Sequence, residues 1–186
     1  MSTDEIIKSG EDKFKKTLEA LKKEYGSLRA GRAMPSLLDK VMVDYYGTPT
    51  SVNQIANVTV PEPRIIMIKP YDKASMKDIE KAIQKSDLGL TPNSDGQVIR
   101  LTIPQPTQER RKEIVKVVSK KAEESKVAMR NIRRDANDAI KKLEKDKQIT
   151  EDDRKNAETK VQKLLDKYIK LVDDTKAAKE KEVMEV

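Results

Sequence analysis

At 186 residues, with 38% charged and only 3% aromatic positions, a single Phe and no Trp, the chain has the length for one or two small domains with thin aliphatic cores. It contains no Cys and no His, which excludes disulfide frameworks, thiolate zinc sites and the commonest general base. The formal net charge is +7, and residues 107–147 carry 14 basic against 8 acidic groups, so one segment holds nearly all of the excess. Even Lys enrichment would speak only of solubility, whereas this localisation points to a polyanionic partner.

In chain order, residues 2–29 read as a helix. Ser2 and Glu5 have capping-box spacing, and apolar residues recur at Phe14, Leu18, Leu21, Tyr25 and Leu28. Residues 31–105 change character. Strand-like runs fall at 41–46, 55–60, 64–69 and 98–103, with turns at 46–49 and 92–96. A short helix over 76–86 starts from Ser75, with Asp78 three residues on, and stops before Gly89.

All 6 Gly and all 8 Pro lie between Gly10 and Pro106, so the rest of the chain lacks strong helix breakers. A second helix is predicted over 107–147 with Thr107 as N-cap. Its seam residues are Val115, Val118, Ala122, Ser125, Met129, Ile132, Ala136, Ala139 and Leu143, at alternating steps of three and four. A break at 147–149 precedes Thr150, Glu151, Asp152 and Asp153, a helix start with acids on the positive end of the dipole. The third helix runs to about 183, with a seam at Ala157, Val161, Leu164, Tyr168, Leu171, Thr175 and Ala178. At 1.5 Å per residue the two long helices span roughly 60 and 50 Å. With the first helix burying its own stripe, a three-helix bundle follows, made of residues 1–30 and 106–186. Residues 31–105 form a small inserted α+β domain. The chain crosses between the two parts at Gly31 and again around Pro104. Two such crossings make a paired hinge; the bland alternative is that Gly31 and Pro104 merely end a helix and a strand.

Five of the ten Arg lie on the second long helix: Arg110 and Arg111 at its start, then Arg130, Arg133 and Arg134. With Met129 and Ile132 in the seam, these last three point outward, and Lys126, Arg130 and Arg134 stack at four-residue steps. The planar guanidinium grips phosphate with two parallel hydrogen bonds, so this cluster points to nucleic acid. The bland alternative pairs Arg134 with Asp138 and Lys126 with Glu123 or Glu124. Few aromatic platforms, no zinc finger and no Walker loop argue for the backbone of folded RNA over base readout. The acidic pairs Asp152–Asp153 and Asp173–Asp174 point apart on helices and read as a cap and a solvated face, so no active site is expected. No apolar run reaches membrane-spanning length and the N-terminus lacks a signal-peptide layout, so a cytoplasmic protein is expected.

The segments Leu28-Arg-Ala-Gly-Arg-Ala33, Val43-Asp-Tyr-Tyr-Gly-Thr-Pro49, Asp87-Leu-Gly-Leu90, Glu109-Arg-Arg-Lys112, Val127-Ala-Met-Arg-Asn-Ile-Arg-Arg-Asp-Ala-Asn137 and Ile149-Thr-Glu-Asp-Asp153 resemble the ribosome recycling factor family from end to end, in order and spacing. The resemblance implies an L-shaped, tRNA-like molecule of two domains, class α+β: a three-helix bundle joined by a two-strand hinge to a small sandwich-like α+β domain. It implies a monomer that binds the large ribosomal subunit and its RNA after termination and splits the subunits with elongation factor G. The GTP hydrolysis belongs to that partner. No cofactor, metal, membrane or small-molecule substrate is implied. By position, the RNA-contacting residues implied are Arg29, Arg32, Arg110, Arg111, Arg130, Arg133 and Arg134, and the hinge falls on Ala30, Gly31, Pro104, Gln105 and Pro106. The competing reading, a coiled-coil interaction or chaperone-like protein without an RNA role, predicts an important insert and a dispensable basic stripe.

Overall fold

The structure is a computed structural model and describes residues 1–28 and 31–185. In chain order its elements are α1 (Thr3–Ser27), β1 (Met42–Tyr45), β2 (Thr48–Ser51), α2 (Val52–Ile55), β3 (Ala56–Glu62), β4 (Ile65–Pro70), α3 (Met76–Lys85), β5 (Pro92–Ser94), β6 (Ile99–Thr102), α4 (Gln108–Lys145) and α5 (Glu151–Glu185). Short 3-10 turns occupy Pro35–Leu38 and Lys73–Ser75. The class is α+β, as expected, and the chain divides into two compact units. One unites α1 with α4 and α5; the other is the segment Ala30–Thr107.

The helical unit begins with the expected capping box: the Glu5 amide donates to Ser2 Oγ (3.2 Å) and the Ser2 amide to Glu5 Oε2 (3.0 Å). Lys147 closes α4 in the left-handed region (φ 59), where the Gln148 amide reaches the Leu143 carbonyl (2.9 Å). A second box opens α5, with the Asp153 amide on Thr150 Oγ1 (3.1 Å) and the Thr150 amide on Asp153 Oδ2 (3.0 Å). Arg154, paired with Glu144 and Glu158, ties the turn to both long helices. Ser119 donates to Glu180 and Lys126 pairs with Asp173, which fixes α4 and α5 as antiparallel. At mid-bundle Phe14 of α1 stacks on Tyr168 of α5, ring centroids 5.5 Å apart.

The buried face differs from the predicted seams. Val118, Ala122, Met129 and Ala136 are buried as expected, but Ile114 and Ile140 take the places of Val115 and Ala139. On α5 Ala157, Val161 and Tyr168 are buried as expected, but Leu165, Val172, Lys179 and Val183 complete the core, while Leu164 and Leu171 are half-buried and Ala178 is exposed. The reason is geometric. A helix facing two neighbours buries a wider arc than a two-stranded seam, and an untwisted 3.6-residue helix drifts about 20° per heptad away from a 3.5-residue stripe.

The other unit is a four-stranded antiparallel sheet of order β3-β4-β6-β5, with a separate β1–β2 hairpin. Leu38, Val43, Val52, Ile66, Ile68, Ile79, Ile83, Ile99 and Leu101 fill its core. Two strands stand where turns were expected. Tyr46 (φ 51) and Gly47 (φ 83) both adopt positive φ, so a two-residue turn suffices and Thr48 already starts β2. Likewise Pro92 begins the edge strand β5, and the reversal moves on to Asp95 and Gly96 (φ 89). Residue 55, expected in a strand, instead ends the one-turn helix α2. Ser75 does not cap α3 with its side chain. Its hydroxyl donates to the Asp72 carbonyl (2.6 Å), while the Asp72 carboxylate caps the preceding 3-10 turn through the Ala74 amide (3.0 Å).

The β5–β6 turn carries a pH prediction. Backbone amides of Val98 and Gln97, then the Arg100 guanidinium, hold the Asp95 carboxyl down at about 2. Because this value lies below the unfolded one, the turn's contribution to stability is present above the ordinary Asp range and is lost as pH falls towards about 2. An NMR titration should give Asp95 a midpoint near 2 in the parent and a higher one in Arg100→Ala. An unshifted parent midpoint would refute this account.

Candidate nucleic-acid interface

Of the arginines singled out by sequence, those on α4 divide according to which way each turns. Arg130 and Arg134 are exposed on the outer side of the helix. Arg130 Nη1 lies 3.4 Å from Glu123, two turns back on the same face, and among the described residues Arg134 makes no ion pair. The pairing of Arg134 with Asp138 is therefore not formed, and Lys126 crosses to Asp173 on α5 in place of Glu123 or Glu124. Arg133, expected to point outward, is half-buried: its Nη1 donates to Gln162 Oε1 (2.9 Å), and Gln162 in turn donates to Asp166 (2.9 Å). It lies along the α4–α5 seam because 100° per residue swings it inward from its neighbour Arg134.

The same swing separates Arg110 from Arg111. Arg110 is exposed and pairs with Glu113 (3.1 Å). Arg111 is only 6% exposed, donates to the Met184 carbonyl (3.0 Å) and keeps an unpartnered Nε. It serves as a tie between the start of α4 and the end of α5. Among the described residues of this unit the exposed guanidiniums are thus Arg110, Arg130 and Arg134, on a 38-residue helix whose opposite face is packed core.

Arg29 and Ala30 lie outside the described residues. In the sheet-containing unit Arg32 is exposed. Gly31 sits at φ 78, a conformation that favours glycine. The unit anchors both of its entering strands: the Ala33 amide on the Pro63 carbonyl (2.8 Å) and the Ile103 amide on the Arg64 carbonyl (2.7 Å). Pro104, Gln105 and Pro106 follow that second anchor without regular structure.

Two residues secure the far end of α1: Tyr25, buried as its place in the apolar stripe predicts, and Lys179, which sequence reasoning passed over. Tyr25 donates to the Val118 carbonyl (2.6 Å), and burial, with Glu180 and Glu24 adding to it, pushes its hydroxyl up to about 12. Lys179, 8% exposed, donates to the Leu28 carbonyl (3.3 Å) and pairs with Glu182 (3.3 Å). The available signal was a lysine standing on the α5 core period one residue after Ala178. Among the described residues no cluster of acidic side chains could hold a metal ion, and no helix is long and apolar enough to cross a membrane.

A family profile for ribosome recycling factor matches residues 21–184. The chain is 60% identical over 182 residues to the ribosome-recycling factor of Heliobacterium modesticaldum, covering 98% of each protein. It is 59% identical over 184 residues to that of Symbiobacterium thermophilum, covering 99% of this chain and 100% of the relative. A solution structure of a ribosome recycling factor is 40% identical, with a TM-score of 0.74 over 100% of this chain and 99% of that one. The T. thermophilus ribosome recycling factor, in models with E. coli elongation factor G bound to the E. coli post-termination complex, is 43% identical, with a TM-score of 0.62 over 98% of this chain and 99% of that one. Matched by the family profile over most of its length and by relatives over nearly all of it, the chain belongs to the ribosome recycling factor family.

Proposed function

We propose that this protein recycles ribosomes after translation termination: it binds the large ribosomal subunit through ribosomal RNA and, with elongation factor G, splits the post-termination complex. The observation that carries the reading is identity over nearly the whole chain to ribosome-recycling factors, together with the likeness to one described on a post-termination complex with elongation factor G. On this chain, α4 supplies a stiff support for Arg110, Arg130 and Arg134, whose guanidiniums neutralise backbone phosphates without reading bases. Arg133 and Arg111 act one step back, bracing α4 against α5. Arg32, exposed beside Gly31, adds a contact from the other unit. The protein is a cytoplasmic monomer with no catalysis of its own; the chain has no Gly-rich phosphate loop, and GTP chemistry belongs to the partner. The coiled-coil interaction reading leaves the exposed arginines without a purpose.

The direct test is light scattering of purified post-termination ribosomes mixed with the chain, elongation factor G and GTP. Scattering should fall only when all are present. No fall in the complete mixture would overturn the reading.

Gly31 with Pro104, Gln105 and Pro106 forms the hinge of this proposal, because positive φ on one crossing and two prolines on the other confine bending to a few bonds. Gly31→Pro imposes a φ near −65° on a bond now at 78°. Strain of roughly 1–3 kcal/mol corresponds to a loss of about fivefold to 150-fold in splitting rate. Affinity for the large subunit should hardly change. Equal loss of binding and splitting would count against a mechanical hinge.

A further inference from the structure

The side of α5 turned away from α4 carries cations that the function above leaves unused. Lys160, Lys163, Lys167 and Lys170 are all exposed and recur at steps of three and four residues, so they line one side of the helix within about 15 Å. Among the described residues none of the four has a carboxylate at ion-pair distance. On the same helix Lys155 is held by Glu151, Lys176 by Glu180 and Lys181 by Glu185. Lys167 Nζ stands 5.5 Å from the Tyr168 ring centroid. Across the groove, α1 presents exposed Lys8, Lys15 and Lys22 at seven-residue steps. Lys15 is close enough to oppose the upward pull that burial and Glu11 exert on the Tyr168 hydroxyl. The carboxylates beside the row are Asp166, which already accepts from Gln162, Asp174 one turn past Lys170, Glu11 and Asp12 of α1, and Asp4 and Asp153, which line a hollow with Lys160.

The position of this row matters as much as its charge. In the helical unit α1 and α4 share one groove, lined by Thr17, Ala20 and Ala128, and α4 and α5 share the seam of Lys126, Asp173, Arg133 and Gln162. The lysines flank the remaining edge, between α1 and α5. In a three-helix bundle that edge lies opposite the outer side of the third helix, here the side of α4 that bears Arg130 and Arg134.

We propose that the α5 lysine row is a second phosphate-binding face, so that the bundle is gripped from two opposed sides by separate RNA segments; this rests on the ribosomal reading above. Charge complementarity names the occupant. One unpaired ammonium per turn, about 5.4 Å apart, follows the row of phosphates along an RNA backbone. Lysine without arginine neutralises charge as a point and reads neither base nor planar geometry, so the contact is sequence-independent and weakens steeply with salt.

The test compares the parent chain, a Lys163→Gln, Lys167→Gln, Lys170→Gln variant and an Arg130→Glu, Arg134→Glu variant for binding to purified large ribosomal subunits over a range of salt, with circular dichroism confirming equal helicity. The lysine variant should bind about tenfold or more weakly at low salt, and its plot of log affinity against log salt should be shallower by about 2 to 3. Hydroxyl-radical footprinting should show it losing protections that the arginine variant keeps. Unchanged affinity and slope in the lysine variant, with the arginine variant impaired, would overturn the second face and leave the ribosomal reading standing. Absence of binding by the parent would overturn both. Weaker binding with unchanged RNA protections would place an acidic protein on the row and refute the RNA assignment, as would loss of the same nucleotides in both variants.

Discussion

Reversing Arg130 and Arg134 to Glu together is expected to lower affinity for the large ribosomal subunit by about a hundredfold or more, since each charge-assisted contact contributes roughly 1.5 kcal/mol or more and tenfold corresponds to 1.4. Both side chains are exposed, and no buried neighbour depends on them; Arg130 loses only a 3.4 Å contact to Glu123. Helicity and thermal stability should therefore stay as in the parent, because surface substitutions of this kind change stability little. Equilibrium binding over a salt series decides the matter. Full affinity in a folded double variant would remove α4 from the RNA contact. Arg133→Ala behaves differently in this account. Its guanidinium is committed to Gln162, so its removal should loosen the α4–α5 seam as well as weaken binding, and a double substitution with Gln162→Ala should cost less than the two single effects combined.

The largest effect on stability is expected from Phe14→Ala, at about 3–5 kcal/mol. Phe14 is 1% exposed and stacks on Tyr168, in a bundle core whose other aromatic rings, Tyr25 and Tyr168, are already packed and whose remaining apolar members are Ala, Val, Leu, Ile and one Met. Against a typical stability of 5–15 kcal/mol this brings the helical unit near its limit. The core of the sheet-containing unit is made of its own residues. Hydrogen exchange should accordingly show α1, α4 and α5 amides losing protection while β3, β4 and β6 keep theirs. Parallel loss in both sets would mean that the two units unfold as one, and wild-type protection throughout would mean that α1 contributes little to the bundle.

Three long helices, the break at 147–149 and the switch in character at residue 31 were legible because they rest on local rules. Capping boxes at Ser2 and Thr150 involve residues three apart, and a run without Gly or Pro past Thr107 leaves helix as the default. The strands β2 and β5 were not legible. Pro49 and Pro92 argue against a ladder, and they are tolerated only because tertiary pairing leaves each on a sheet edge or hairpin arm. The exchange of Leu164 and Leu171 for Leu165 and Val172 was invisible for a related reason. A period gives a stripe, but the direction in which the stripe faces is set by where two neighbouring helices stand.

The arginine cluster shows where local reasoning ends. By itself the sequence determined that the positive charge resides on one long helix, that Lys126, Arg130 and Arg134 recur there at four-residue steps, and that no Cys or His chemistry accompanies them, since charge, spacing and residue type are properties of the chain alone. Only the tertiary structure decided that Arg133, read as outward with Arg130 and Arg134, turns with Arg111 towards α5, and that Lys179 lies in the core on the Leu28 carbonyl. Neighbours in a helix point about 100° apart, so the fate of each side chain depends on which partner helix occupies that direction, and partners distant in sequence are brought there by packing.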